Sequence, residues 1–331
     1  MAKKKAKPES SEEAIESKSE DAYSLNDLPG IGDATVKKLK EAGITSIRAL
    51  ALIPIKRLTE EGIGEKTAEK IVKTAQDLEK MGFKSADLVW EKRRSMKKLT
   101  SGSQNLDDLL AGGFEPGAVI ELFGEYRSGK TQICHQLCVN VQLPYEQGGL
   151  EGAGLYIDTE GTFRPERIIQ MAQAKDLDYN KVLKNITVGR AYNSDHQILL
   201  VKDASNIIEE KNIKLIIVDS IIGHFRSEYI GRGTLANRQQ ILNSHIHDLL
   251  RLTESYDELA VVVTNQVSAK PDVFYGNPLT ATGGNIVAHG TTIRIYLRKG
   301  KAEQRVAKVV DAPHLPEAEA IFSVTEDGIK D

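Results

Sequence analysis

The sequence predicts an α/β protein: a mostly parallel sheet with helices on both faces, preceded by a small all-helical domain. Three observations carry this. First, Gly124-Glu125-Tyr126-Arg127-Ser128-Gly129-Lys130-Thr131 has the spacing of a phosphate-binding loop. It follows an apolar strand-like run, Val119–Phe123, and precedes a helical one in which Ile133, Leu137 and Val141 recur. Second, further apolar runs alternate with helical stretches, and each turns polar at its carboxyl end. Residues 154–160 end at Asp158 and Glu160, 214–220 at Asp219 and Ser220, and 260–266 at Asn265 and Gln266. Such strands belong to buried parallel sheets, which hold ligands at their carboxyl ends. Third, residues 23–80 read as short helices joined by glycine turns.

The loop is justified by its chemistry. Its glycines let backbone N–H groups turn inward on phosphate oxygens, and the helix that follows adds its positive end. Lys130 suits the β- and γ-phosphates, and the Thr131 hydroxyl suits Mg²⁺. Asp219, after four aliphatic residues, is the expected partner for water on that metal. Glu160 is the candidate general base; alone it also reads as a solvated strand-end acid. Gln266 is placed to sense the γ-phosphate, or else to cap its strand. Thr131, Glu160, Asp219 and Gln266 are expected to converge on one nucleotide.

The chain in order adds the rest. It has 331 residues, enough for two domains, and 40% are hydrophobic but only 5% aromatic, so aliphatic side chains fill most of the core. With 44 basic and 47 acidic residues the net charge is −3, which does not announce a nucleic-acid binder. The two cysteines, Cys134 and Cys138, are too few for a disulfide scaffold and are expected in the core. No signal peptide or long apolar span is present, so a cytoplasmic setting with no membrane partner is expected. Residues 1–22 are rich in Lys, Glu and Ser and predict a disordered tail.

Leu28-Pro29-Gly30-Ile31-Gly32-Asp33-Ala34-Thr35-Val36-Lys37-Lys38-Leu39 resembles a helix-hairpin-helix motif, and Glu61–Ile71 is a looser second copy. Around Gly30 and Gly32 such a hairpin grips a DNA phosphate by backbone N–H groups without reading bases. A helical protein-contact domain is the alternative, and Glu60, Glu61 and Glu65 weaken the second copy. Residues 81–98 are expected to be a linker. Within it Phe83 and Ala86 either anchor a neighbouring subunit or, for Phe83, close the core of the helical domain; the residues alone favour the core.

The ATPase core is expected over 99–331. Residues 223–238 hold Arg226, Arg232 and Arg238 against one glutamate, and 267–285 form a long irregular loop. Both follow nucleotide-facing strands and suit a single-strand backbone. Thr291–Lys299, Arg305–Val310 and Ala320–Thr325 are expected as antiparallel hairpins at the sheet edge. His245 and His247, two apart on a helix, diverge rather than chelate.

From about residue 23 onward the chain resembles the RecA family of recombinases, of the archaeal RadA type. The residues that carry this are Gly124–Thr131 running on through Gln132-Ile133-Cys134-His135-Gln136-Leu137, Asp158–Arg167, Tyr229–Leu235 and Asp311-Ala312-Pro313-His314-Leu315-Pro316. The resemblance implies a RecA-like ATPase core and an ATP-dependent filament on single-stranded DNA that pairs with duplex DNA and exchanges strands. Rings without DNA and recombination mediators as partners are also implied. By the family's pattern Lys130 and Thr131 bind phosphate and Mg²⁺, Glu160 activates water, Arg167 lies against adenine, and Gln266 couples nucleotide to the second DNA loop. Arg226, Arg232 and Arg238 match the first DNA loop. His289, Asp311 and Pro316 match positions that reach ATP across the subunit interface, with a monovalent cation beside Asp311. Phe83 and Ala86 match the polymerisation anchor. A RecA-fold accessory protein that binds DNA and recombinase without exchanging strands is the competing reading. A phosphotransferase using the same loop is a third, for which no acceptor-site motif is found.

Overall fold

A computed structural model describes residues 24–29, 31–269 and 279–331. The chain divides into two compact units between Lys84 and Ser85, inside the expected linker.

The first unit holds α1 (Asp33–Glu41), α2 (Ile47–Ala51), α3 (Ile55–Glu60) and α4 (Glu65–Leu78). α4 buries Ala68, Ile71, Val72 and Ala75, one stripe at helical spacing. It packs against Leu39, Leu50 and Leu58, all fully buried. α1 and α3 stop in the same way. Gly43 and Gly62 adopt positive φ, and the next N–H reaches back, Ile44 to the Leu39 carbonyl and Ile63 to that of Leu58. Gly32 and Gly64 then cap α1 and α4. Gly30 lies outside the described residues.

The second unit opens with α5 (Ala86–Ser95), so part of the expected linker is helical. Its last turn carries Lys92, Arg93 and Arg94, which complement the helix dipole. Arg93 pairs with the buried carboxylate of Glu115, which Lys98 and His314 also face. α6 (Gln104–Leu109) leads into the sheet.

The strands are β1 (Val119–Gly124), β2 (Ala153–Asp158), β3 (Ile186–Arg190), β4 (Ile213–Asp219), β5 (Ala260–Asn265), β6 (Val267–Ala269), β7 (Leu279–Ala281), β8 (Ile293–Lys299), β9 (Gln304–Asp311), β10 (Glu319–Thr325) and β11 (Gly328–Lys330). Nine form one sheet in the order β11-β10-β9-β8-β1-β5-β4-β2-β3, and β6 pairs with β7. β1, β2, β4 and β5 are buried end to end or nearly so, as strands covered on both faces must be. One face packs on α7 (Lys130–Asn140), α8 (Pro165–Gln173) and α9 (Tyr179–Lys184) with Leu122, Tyr156 and Ile217. The other meets α10 (Ser194–Ala204) and α12 (Leu235–Ser255) with Val119, Ile216 and Val261.

Thr291–Lys299 does form an antiparallel hairpin with β9, as expected, but β8 is also part of the parallel core, pairing parallel with β1, Gly124 opposite Leu297. Strand direction is set by the crossover that delivers the strand, which local pattern does not encode. Phe83 does not close the helical domain's core but is fully exposed. The basic loop at 223–238 is also largely helical, with α11 (Gly223–Glu228), a 3₁₀ turn at Arg232–Thr234, and then α12.

Candidate nucleotide site

β1 runs straight into the phosphate loop. Gly124 is obligatory there, because a Cβ would lie 2.1 Å from the Leu297 carbonyl oxygen on β8. Gly129 has φ of 104° and opens α7 at Lys130. Lys130 Nζ donates to the carbonyls of Gly124 and Glu125, each at 2.9 Å. Burial lowers its pKa, and the carboxylates of Asp219 and Glu160 pull the other way.

Asp219, at the end of β4, is buried and collects three hydroxyls. Thr131 Oγ1 donates to Oδ2 at 2.8 Å and the Tyr156 hydroxyl to the same oxygen at 2.7 Å. The Thr264 hydroxyl donates to Oδ1. A hydroxyl and a carboxylate side by side form the hard-oxygen set that Mg²⁺ takes, usually with water.

Glu160 sits just beyond β2. Ser220 Oγ donates to its Oε1 at 2.8 Å and Gln266 Nε2 to the same oxygen at 3.1 Å. The turn that carries it is wound round Asp158. Oδ1 accepts the N–H groups of Glu160, Gly161 and Thr162 at 3.1, 2.7 and 3.1 Å. Oδ2 accepts that of Phe163, and Arg190 faces the same carboxylate at 3.6 Å. His135, on α7, ties this turn to the phosphate loop. Its Nδ1 lies 2.7 Å from the Thr131 carbonyl, and its Nε2 accepts the Arg164 N–H at 3.0 Å. That pairing requires a neutral ring with its proton on Nδ1. Burial lowers the His135 pKa. The ring stacks on Phe163 at 5.3 Å.

These groups enclose a cavity of about 850 Å³, lined by the loop residues Gly124–Thr131 with Glu160, Asp219, Gln266, Arg305 and Val324. The structure therefore brings Lys130, Thr131, Asp219, Glu160 and Gln266 together. Arg167 stands beside them. Its Nε donates to Gln132 Oε1 at 2.7 Å, and its other nitrogens meet the carbonyls of Thr325 and Glu326.

Other expected residues lie elsewhere. His289, Asp311 and Pro316 are exposed, and none lines the cavity. β9 runs antiparallel to β8 and carries Asp311 to the opposite end of the sheet. Arg226 is exposed on α11, Arg232 opens the 3₁₀ turn, and Arg238 is half-buried on α12. Gly32 caps α1, and Ala86 begins α5 with its side chain exposed. Cys134 and Cys138 are buried, and burial raises both thiols. Sequence reasoning missed Tyr156, Thr264, Ser220, His135 and Arg305. Ser220 adjoins Asp219 and was within reach; the others lie inside apolar elements or arrive from a distant strand, with no spacing to announce them.

A phosphate loop at the end of a central parallel strand, with an aspartate ending β4 and a glutamate just beyond its neighbour β2, defines an ATPase of the RecA-like class. A family model described as Rad51 matches residues 92–331, and one described as a SAM-like helix-hairpin-helix tandem matches 23–77. A protein of Aeropyrum pernix named DNA repair and recombination protein RadA is 51% identical over 308 residues, 93% of this chain and 96% of that protein. The chain belongs to the Rad51 family. No helix among the described residues is long and apolar enough to cross a membrane.

Proposed function

We propose that this chain is an ATP-dependent recombinase of DNA repair that assembles as a filament on single-stranded DNA, pairs it with homologous duplex and exchanges strands inside the cell. The observation that carries this is the meeting of Lys130, Thr131, Asp219, Glu160 and Gln266 in one cavity. The family's members are DNA-dependent ATPases that use ATP and Mg²⁺, and the A. pernix relative's name supports the repair role.

Lys130 would leave the carbonyls it now touches for the phosphate oxygens of ATP, with the backbone N–H groups of the loop around them. Thr131, with Asp219 acting through water, would hold Mg²⁺, which offsets charge on the β- and γ-phosphates. Ser220 and Gln266 both take Glu160 Oε1, so Oε2 is the oxygen left to accept a proton from the attacking water. Arg167 and Gln132 flank the adenine side. His289, Asp311 and Pro316 would reach ATP from a second copy, with a monovalent cation beside Asp311. ATP would then stabilise the filament and hydrolysis release it. Phe83, fully exposed, and Ala86 are the assigned anchor between subunits; Phe83→Ala should give folded subunits that no longer polymerise in light scattering. Arg226, Arg232, Arg238 and the loop after Gln266 are assigned to single-stranded DNA, and Gly30 and Gly32 to a backbone phosphate.

The test is ATP hydrolysis with and without single-stranded DNA across a salt series, followed by strand exchange. Stimulation that fades with salt, with exchanged product, is expected. Turnover indifferent to DNA, or binding without exchange, would replace this reading by the accessory-protein one.

A further inference from the structure

Glu121 lies in the middle of β1 and has no exposed surface. A carboxylate so placed must be paired and hydrogen-bonded to stay charged. Its two oxygens are divided between two partners. Oε2 accepts from Arg294 Nε on β8 at 2.6 Å, and Oε1 accepts from Asn265 Nδ2 at the end of β5 at 2.7 Å. The Arg294 guanidinium is steadied from the other side, lying over the Phe123 ring at 5.1 Å.

Asn265 is held in a single orientation. Its amide nitrogen also donates to the Thr282 carbonyl at 2.7 Å, so both of its protons are used. Its oxygen accepts the backbone N–H of the next residue, Gln266, at 2.8 Å. The Thr282 N–H returns to the Gln266 carbonyl at 2.9 Å. One amide therefore closes the neck where the chain leaves β5 and comes back. It also fixes Gln266 with respect to β1, the strand that delivers the phosphate loop. Gln266 in turn touches Glu160 at 3.1 Å.

We propose that Asn265, set by the Glu121–Arg294 ion pair, is the positioning residue for Gln266 against Glu160. It fixes where the glutamine amide stands without itself touching nucleotide, and is absent from the lining of the cavity. The inference deepens the ATPase reading and rests on it. It predicts a change in turnover with little change in nucleotide binding.

The test is steady-state ATP hydrolysis by full-length Asn265→Asp, with and without single-stranded DNA. The substitution keeps the shape but sets oxygen against Glu121 and the Thr282 carbonyl. The expected result is a KM for ATP within about twofold of the parent and a kcat reduced about tenfold, the pattern of an interaction made only in the transition state. Adding Glu121→Gln to Asn265→Asp restores a donor between the two side chains and should recover part of kcat, as coupled neighbours do. An unchanged kcat, or a loss that tracks a lowered folded fraction and leaves kcat per folded molecule intact, overturns the proposal. If Asn265→Asp does not fold, Glu121→Gln alone, equal in volume, is held to the same two outcomes. A parent protein indifferent to DNA sinks the recombinase reading separately, while the DNA-free kcat of the variants still decides the positioning role.

Discussion

The phosphate loop and the helix-hairpin-helix turns both place a glycine at the start of a helix, yet those glycines stand in different surroundings. In the loop the constraint on them is internal. Gly124 is pressed against the Leu297 carbonyl, and Gly129 adopts a backbone that side chains resist. In the helical unit a Cβ on Gly32 or Gly64 would meet nothing within 4 Å, and neither has positive φ. Nothing among the described residues requires those two positions to lack a side chain, which leaves the room that the proposed contact with a DNA phosphate would need. The charged groups nearby differ as well. The loop holds a half-buried lysine, Lys130, and beside it stand the two carboxylates of Asp219 and Glu160. In the hairpins the Lys38 ammonium is tied to the Gly62 carbonyl at 2.8 Å, and Lys37 faces Glu41 at 3.7 Å in an exposed pair worth little. One region is the candidate reaction site; the other is the one assigned to DNA contact.

That contrast can be broken at several points. Lys130→Ala should carry the largest effect, lowering ATP turnover by about 10³-fold or more as the only lysine among the described residues lining the cavity is lost; turnover near the parent's would remove the site. Gly124→Ala comes next. It should destabilise the second unit by about 3 kcal/mol or prevent its folding, read in denaturant melts, because backbone must shift to admit the methyl. Mild acid should come third. His135 is neutral in the fold with its pKa lowered by burial, and His245, buried on α12, is lowered to about 4. Below the ordinary histidine pKa of about 6.5 the unfolded chain takes up protons that the folded chain refuses, so stability falls with pH, by up to about 1.4 kcal/mol per pH unit for each histidine. Residues 1–84 contain no histidine. Amide exchange between pH 7.5 and 5.5 should therefore show core protection declining while the first unit holds; parallel decline in both would refute the assignment. Gly32→Ala is the smallest, about 1 kcal/mol or less on stability as an N-cap change. If it nonetheless weakens DNA binding, the DNA-contact reading of that glycine stands; unchanged binding would return the hairpin to a packing role.

Much of the nucleotide site is legible in the sequence, and what is hidden follows a physical rule. Thr131, Asp219, Glu160 and Gln266 can be brought together from pattern alone, because each sits at the carboxyl edge of a parallel strand or the start of the helix beside it, and such edges converge. Asp219's own environment cannot. Tyr156 and Thr264 point at it from within buried strands, where sequence shows only an apolar run with one hydroxyl. Asp158 reads as one of two strand-end acids, and only the wound turn shows that it shapes the backbone on which Glu160 stands. β3 escapes notice because an edge strand with mixed burial lacks the continuous apolar pattern of its neighbours. β8 is visible as a strand, but its direction is not. Its partner, β1, lies far earlier in the chain, and pairing across such a distance leaves no local trace.

That pairing has a consequence for how the protein is made. A ribosome delivers Arg127 long before Arg305, whose Nε bonds the Arg127 carbonyl across 178 positions. Until β8 arrives, β1 is an open sheet edge. Until β10 arrives, Val324 and the carbonyl of Thr325 that meets Arg167 are missing from the nucleotide side. A nascent chain thus displays a complete phosphate-loop sequence while lacking the walls that finish its cavity. Products truncated before β10 should be poor ATP binders.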